Sequence, residues 1–95
     1  MYSFHFYAGT HMGLLSRVQT YASLIPIFAT EWGTSEASGE NGPFLPEALQ
    51  FLDLFKDTQG QTGQLISWAQ WSYADKSEVS GALNPGSCAA ANWDK

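Results

Sequence analysis

The run LIPIFATEW, residues 24–32, constrains the fold of this chain more than any other segment. It is almost continuously apolar, and a short run of this kind is typical of a strand buried on both faces. Such strands occur in parallel sheets, where helices cover the sheet from outside. We therefore predict a strand over residues 25–32, with a single carboxylate, Glu31, near its end.

Segments on either side of this strand predict the rest of the fold. Alternation in YSFHFY predicts a strand over residues 1–8, and QLISWAQWSYA predicts another over residues 64–74. Apolar residues at three- and four-residue spacing predict helices over residues 12–23 and 44–59. The predicted apolar stripe of the second helix comprises Leu45, Ala48, Leu49, Leu52 and Phe55. The order strand, helix, strand, helix, strand indicates an α/β fold with parallel strands.

Composition narrows the possible functions. The chain has 95 residues, a net charge of −5 and only four basic residues, so no basic patch for nucleic acid can form. No apolar run approaches the roughly 18 residues that a membrane helix needs. Cys88 is the only cysteine, which excludes an internal disulfide. Three parallel strands would leave both sheet edges unpaired, so we expect the chain to be part of a larger domain.

In parallel α/β folds, function collects at the carboxyl ends of the strands. Strict alternation places His5 and Tyr7 on one face of the first strand. The same rule places Glu31 at the end of an apolar column with Ile25, Ile27 and Ala29. On the third strand the rule places Ile66 and Trp68 on one face. The residues on the opposite face are Leu65, Ser67, Ala69 and Trp71. The strand ends together form a candidate site.

Simpler interpretations of these residues stay open at this point. Glu31 could be a solvated strand-end acid, His5 a core histidine, and Trp68 and Trp71 packing residues. His5, His11 and Glu31 could bind a metal, although no HExxH spacing supports this. A serine triad lacks the GxSxG elbow, and a phosphate loop lacks the GxxxxGK[ST] pattern.

Three segments in order, YSFHFYAGTH, IFATEWGTS and ISWAQWSYADKSEVSGALNPG, carry a resemblance to a known family. Over nearly its whole length the chain resembles the C-terminal part of glycoside hydrolase family 5 endoglucanases of the bacterial cellulase type. The resemblance implies a (β/α)8 TIM barrel in which these segments are the sixth, seventh and eighth strands, so that residues 1–95 form part of a catalytic domain. It further implies a secreted cellulase that hydrolyses β-1,4-glucan with retention and without a cofactor or metal.

The resemblance also implies roles for single residues. Glu31 in TEWG matches the catalytic nucleophile, and His5 and Tyr7 in HFY match the pair that flanks the catalytic carboxylates. The matching substrate-binding residues are Trp71, Lys76, Glu78, Ala37 and Ser38, with a supporting place for His11.

One half of the expected machinery is missing from the sequence. In the family, the acid/base glutamate lies in an Asn-Glu-Pro motif, and the asparagines here occur only in NG, NP and NW. The family gives that role to none of the local acids Glu36, Glu40 and Glu78. We therefore expect the isolated chain to be inactive. Two alternatives remain open: a non-catalytic sugar-binding module and a related hemicellulase, such as a mannanase, on the same barrel.

Overall fold

The computed structural model of the protein describes residues 1–90. Within them, β1 (Tyr2–Tyr7), β2 (Ile27–Gly33) and β3 (Ser67–Gln70) form a parallel sheet in the order β1-β2-β3. A 3-10 turn and helix α1 (Leu15–Ala22) connect β1 to β2, and α2 (Leu45–Lys56) connects β2 to β3. A short helix, α3 (Ser87–Ala90), follows the loop after β3. The predicted domain runs to residue 95, and residues 91–95 lie outside the described part.

The third strand is much shorter than the predicted span of residues 64–74. Its pairing with β2 stops because the chain after Gln70 finds other partners: the Ser72 N–H donates to the Ser80 carbonyl at 3.1 Å. Trp71 still donates its N–H to the Trp32 carbonyl at 2.7 Å, but the following Trp71–Ser72 peptide is cis. The loop after β3 therefore folds back on itself.

Both connecting helices pack on one face of the sheet. Phe6, fully buried, is at the centre of this layer, and its ring lies 3.9 Å from Phe51 and 5.5 Å from Trp32, measured between centroids. Stacked and edge-on aromatic pairs of this kind add to the free energy gained by burying apolar area. The opposite face of the sheet, here called the uncovered face, takes no part in this core within residues 1–90: Ser3, His5 and every residue of β3 are exposed, although Tyr7 at the end of β1 is buried.

The buried stripe of α2 differs from the predicted one. Leu45 and Leu49 are 52% and 54% exposed, so their assignment to the core was wrong. Ala48 and Phe55 of the predicted stripe are buried, and the other buried residues are Phe51 and Leu54. The helix is rotated because Phe51 stacks directly on Phe6 of the sheet, and this tertiary contact decides which of the apolar residues of α2 turn inward. The helix also begins at Leu45 and ends at Lys56, within the predicted 44–59.

Asp57 ends α2 and organises the loop that leads to β3. Its backbone adopts the left-handed conformation, with φ 49°. Its carboxylate accepts hydrogen bonds from the N–H groups of Thr62 at 2.8 Å and Gly63 at 2.7 Å. These backbone donors, Thr62 first, hold the pKa of Asp57 below its ordinary value. The loop is thus fixed by a charged group.

We expect Asp57→Asn to lower the free energy of unfolding at neutral pH and to make it depend less on pH in the acid range. Because the pKa of Asp57 is lower in the folded state, its contribution is complete above the unfolded value of about 3.9 and is lost as pH falls through the folded value. Urea titrations between roughly pH 2 and pH 7 measure this, with Asp53→Asn on the exposed side of α2 as the control. Equal stability curves for wild type and Asp57→Asn would contradict the assignment.

Candidate active site at the carboxyl ends of β1 and β2

The parallel register brings the ends of β1 and β2 together. His5 pairs with Glu31, Phe6 with Trp32 and Tyr7 with Gly33. Phe6 and Trp32 point into the helix-covered core, so the paired neighbours His5 and Glu31 lie on the uncovered face.

A β-bulge in β2 determines where Glu31 points. Phe4 pairs with Ala29 and the next residue, His5, pairs with Glu31, so Thr30 is an extra residue in β2. Ala29 is buried in the helix-facing core, whereas Glu31 contacts residues on the other face. The expectation that Glu31 ends one column with Ala29 was therefore wrong, because simple alternation does not count the extra residue.

Glu31 is held by two residues of β1. The Tyr7 hydroxyl donates a hydrogen bond to Glu31 Oε1 at 2.6 Å, and His5 Nδ1 lies 3.6 Å from Oε2. Burial raises the pKa of the Tyr7 phenol far above its ordinary value, and the hydrogen bond to Glu31 and the charges of Glu31 and Glu78 raise it further. Tyr7 therefore stays protonated and serves as a donor to the carboxylate.

Gly33 leaves the space that the Tyr7 ring occupies. A Cβ atom built at Gly33 would lie 2.8 Å from Tyr7 Cε1 and 2.9 Å from Cδ1, closer than Cβ atoms come to non-bonded neighbours in protein structures. The glycine thus serves close packing between paired residues of neighbouring strands. This contact explains why a glycine follows the Glu31–Trp32 pair.

We expect Gly33→Ala to destabilise the chain by about 1–3 kcal/mol, the usual range for overpacking, and to displace Tyr7 from Glu31. Gly13→Ala is the matched control, because nothing lies within 4 Å of a Cβ at that exposed position. It should change the free energy of unfolding by less than about 0.5 kcal/mol. Guanidinium titrations of both variants measure the difference, and equal effects would show that the Tyr7 ring yields without cost.

The loop residues form a second group around the strand ends. His11 Nδ1 accepts the Tyr7 backbone N–H at 2.9 Å, so it lies behind Tyr7. The Ala37 N–H donates to Thr10 Oγ1 at 2.9 Å, which ties the loop after β2 to the turn after β1. Ser38 Oγ accepts the Glu40 N–H at 3.2 Å within that loop.

Trp71 and the loop that follows it lie next to the ends of β1 and β2. Trp71 is 47% exposed, and its N–H bond to the Trp32 carbonyl holds it next to β2. Lys76 Nζ and Glu78 Oε1 are 3.8 Å apart. The negative charge of Glu78 is also one of the causes that raise the pKa of Tyr7. Glu78 therefore connects this loop to the strand ends.

Sequence reasoning missed the contacts that hold the loops. Thr10 received no role, although it lies in the GTH of the first motif. Gly39, with φ 88°, accepts the Ser80 N–H at its carbonyl at 3.2 Å, and its Cα faces the Glu78 carboxylate. The sequence signal for this contact was Gly39 itself, which lies between the polar loop residues Ser38 and Glu40. Among residues 1–90, no three His, Cys, Asp or Glu side chains come together as a metal site, and no helix is long and apolar enough to span a membrane.

The sequence and the fold of this chain are both similar to those of known endoglucanases. Endoglucanase 5 of Pectobacterium carotovorum subsp. carotovorum is 47% identical over 95 residues, which are 98% of this chain and 18% of that protein. The catalytic domain of Thermobifida fusca endoglucanase Cel5A, solved in complex with cellotetraose, has a TM-score of 0.82 at 31% identity, over 95% of this chain and 28% of that one. A GH5 cellulase from an Icelandic hot spring isolate has a TM-score of 0.66 at 36% identity, over 90% and 27%.

These similarities confirm the resemblance to glycoside hydrolase family 5 endoglucanases. No family model matches the chain. The chain spans about a fifth of the length of the curated relatives and just over a quarter of the solved chains.

Proposed function

We propose that this chain carries the nucleophile half of the active site of a retaining endo-β-1,4-glucanase, with Glu31 as the nucleophile. The observation that carries the proposal is the Glu31 carboxylate, fixed at the end of the central strand by the Tyr7 hydroxyl at 2.6 Å. In this proposal β1, β2 and β3 are the sixth, seventh and eighth strands of a (β/α)8 barrel. The uncovered sheet face is then the inside of that barrel.

The contacts of Glu31 suit nucleophilic attack on a sugar. A retaining glycosidase needs an ionised carboxylate that attacks the anomeric carbon and forms a glycosyl ester. The Tyr7 hydroxyl donates to one carboxylate oxygen of Glu31, Oε1, and the other oxygen, Oε2, lies near His5. Mounting the acid on a paired strand keeps its position accurate.

The second carboxyl group has no counterpart among the motifs of this chain. Retaining enzymes place the acid/base about 5–5.5 Å from the nucleophile, and the Asn-Glu-Pro motif that carries it in the family does not occur in this sequence. We infer that the isolated chain is inactive and that the acid/base lies on another strand of the barrel. Cellulose is an insoluble polymer, so the complete enzyme would act outside the cell.

The substrate of this proposal is a β-1,4-glucan, and the structure of the Thermobifida fusca relative in complex with cellotetraose supports this choice. Trp71 presents a half-exposed ring on which the flat face of a glucose unit can stack. Lys76 and Glu78, paired at 3.8 Å, and the loop at Ala37 and Ser38 would hydrogen-bond its hydroxyl groups.

The decisive experiment transfers this chain into Endoglucanase 5 of Pectobacterium carotovorum in place of the matching segment, giving a hybrid enzyme with a complete barrel. We expect the hybrid to release reducing sugar from carboxymethyl cellulose and the 95-residue chain alone to release none. A 2-fluoro cellobioside with a dinitrophenol leaving group should then label Glu31, as located by peptide mass spectrometry. An active hybrid that is labelled elsewhere would refute the proposal, and activity of the chain alone would place the acid/base within it.

A matched pair of tryptophans tests the sugar platform. Trp68 and Trp71 are both 47% exposed, but Trp68 packs edge-on against Trp32. In the hybrid, Trp71→Ala should lower kcat/KM by a factor equivalent to about 1–3 kcal/mol of binding free energy, because a stacking surface is lost. The change should come mainly from a higher KM. Trp68→Ala should lower the melting temperature instead and leave KM nearly unchanged. Equal effects of the two variants on KM would contradict a binding role for Trp71.

A further inference from the structure

The backbone of Tyr7 has an unusual partner on the free edge of β1. The N–H groups of Tyr2 and Ala8 donate toward β2, to the carbonyls of Pro26 and Gly33 at 2.9 and 3.0 Å. N–H groups alternate between the two edges of a strand, so the Tyr7 N–H points away from β2. On that edge the His11 ring accepts it, through Nδ1 at 2.9 Å.

The turn after β1 holds both backbone groups of Tyr7. The Tyr7 carbonyl accepts the N–H groups of Thr10 at 3.0 Å and His11 at 2.9 Å. His11 therefore bonds Tyr7 twice, once through its ring and once through its backbone. The same turn carries Thr10, whose hydroxyl holds the Ala37 N–H of the neighbouring loop.

The ring contact requires one form of the histidine. A backbone N–H can donate only to a ring nitrogen with a free lone pair, so Nδ1 carries no proton and the ring proton is on Nε2. This geometry uses His11 as a structural acceptor behind Tyr7, whereas the resemblance gave it only a general supporting place near the substrate.

We propose that His11 is the positioning residue for Tyr7: by accepting its backbone N–H, it fixes the phenol where its hydroxyl reaches Glu31. The bond takes the place of a ladder partner at the point where β1 ends, and the half-buried ring shields it from water. The hydrogen bond is a property of this chain. Its catalytic consequence rests on the proposed function of Glu31.

Nuclear magnetic resonance of the 15N-labelled 95-residue chain tests the bond directly. An N–H···N hydrogen bond transmits a scalar coupling between its two nitrogens, so we expect a correlation from the Tyr7 amide to His11 Nδ1. The ring nitrogen shifts should show the proton on Nε2. A Tyr7 amide without this correlation, or a ring with its proton on Nδ1, would overturn the proposal.

Two variants separate the acceptor from the bulk of the ring. His11→Asn keeps a short side-chain acceptor, whereas His11→Leu keeps volume without one. We expect the Tyr7 amide to exchange with solvent roughly three- to tenfold faster in His11→Leu, the factor of one typical hydrogen bond, and to be partly protected again in His11→Asn. Unchanged exchange in His11→Leu would overturn the proposal. These measurements need no turnover, so a negative result would overturn the proposal for His11 and leave the assignment of Glu31 as nucleophile untouched. Conversely, a 2-fluoro cellobioside that does not label Glu31 would leave the hydrogen bond of His11 unaffected.

Discussion

Glu31→Ala in the hybrid enzyme is expected to reduce the hydrolysis of carboxymethyl cellulose by roughly 10⁴-fold or more, the scale seen when a catalytic nucleophile is removed. The loss should be this large because no other group can form the covalent intermediate on which retention depends. The substitution also removes the acceptor of the 2.6 Å Tyr7 hydrogen bond, so stability must be measured beside activity. Initial rates on carboxymethyl cellulose and melting curves give both quantities.

Azide and a second acid make the experiment specific. Azide can enter the space left by the carboxylate and attack the anomeric carbon, so it should partly restore the rate of Glu31→Ala with an activated aryl cellobioside. Glu40→Gln is the control, because Glu40 is an exposed acid in the loop after β2. It should keep nearly full activity. A Glu31→Ala enzyme that retains its rate, without azide, would end the assignment of the nucleophile.

Phe6→Ala should be the most destabilising single substitution among those considered, at about 3–5 kcal/mol. Phe6 is fully buried and stacks on Phe51 at 3.9 Å, and its ring also contacts Trp32. Removal of the ring leaves a cavity between the sheet and α2 that these rigid neighbours cannot fill. Many domains are stable by only about 5–15 kcal/mol, so the variant approaches the limit of folding.

Tyr2→Ala is the matched control for this substitution. Tyr2 lies on the same strand with the same parity, but its side chain is 62% exposed. The variant should lose less than about 1 kcal/mol. Urea titration of both variants measures the difference. A loss at Phe6 as small as that at Tyr2 would mean that the aromatic cluster does not hold α2 against the sheet.

Periodicity in the sequence was enough to predict the parallel α/β layout, because alternating and helical apolar patterns are local properties of the chain. It did not predict which side of α2 is buried, since Leu45, Leu49, Phe51 and Leu54 are all apolar and only the contact with Phe6 distinguishes them. It also overestimated β3, because the Ser72–Ser80 bond that ends the strand is made by residues eight apart in a loop.

For the site, the sequence indicated the main residues but not how they are oriented. The motifs indicated Glu31, Tyr7 and His5 together, and the structure brings these three side chains within contact. The face of Glu31 could not be derived by alternation, because the extra residue Thr30 leaves no composition signal. Nor could the sequence show that His11 bonds a backbone N–H, since that depends on how the turn closes.

The sheet order has a consequence for how such a site can change over evolutionary time. Glu31 lies on the middle strand, with a neighbour on each side, whereas Trp71, Lys76 and Glu78 belong to the end of an outer strand and to its loop. In the proposed function, replacements and length changes in that loop would alter which sugars are bound, while the pairing of β1 with β2 that places Glu31 beside His5 would be kept. Under the proposed function, sugar preference can therefore change through the loop after β3 while the Glu31 carboxylate is inherited unchanged.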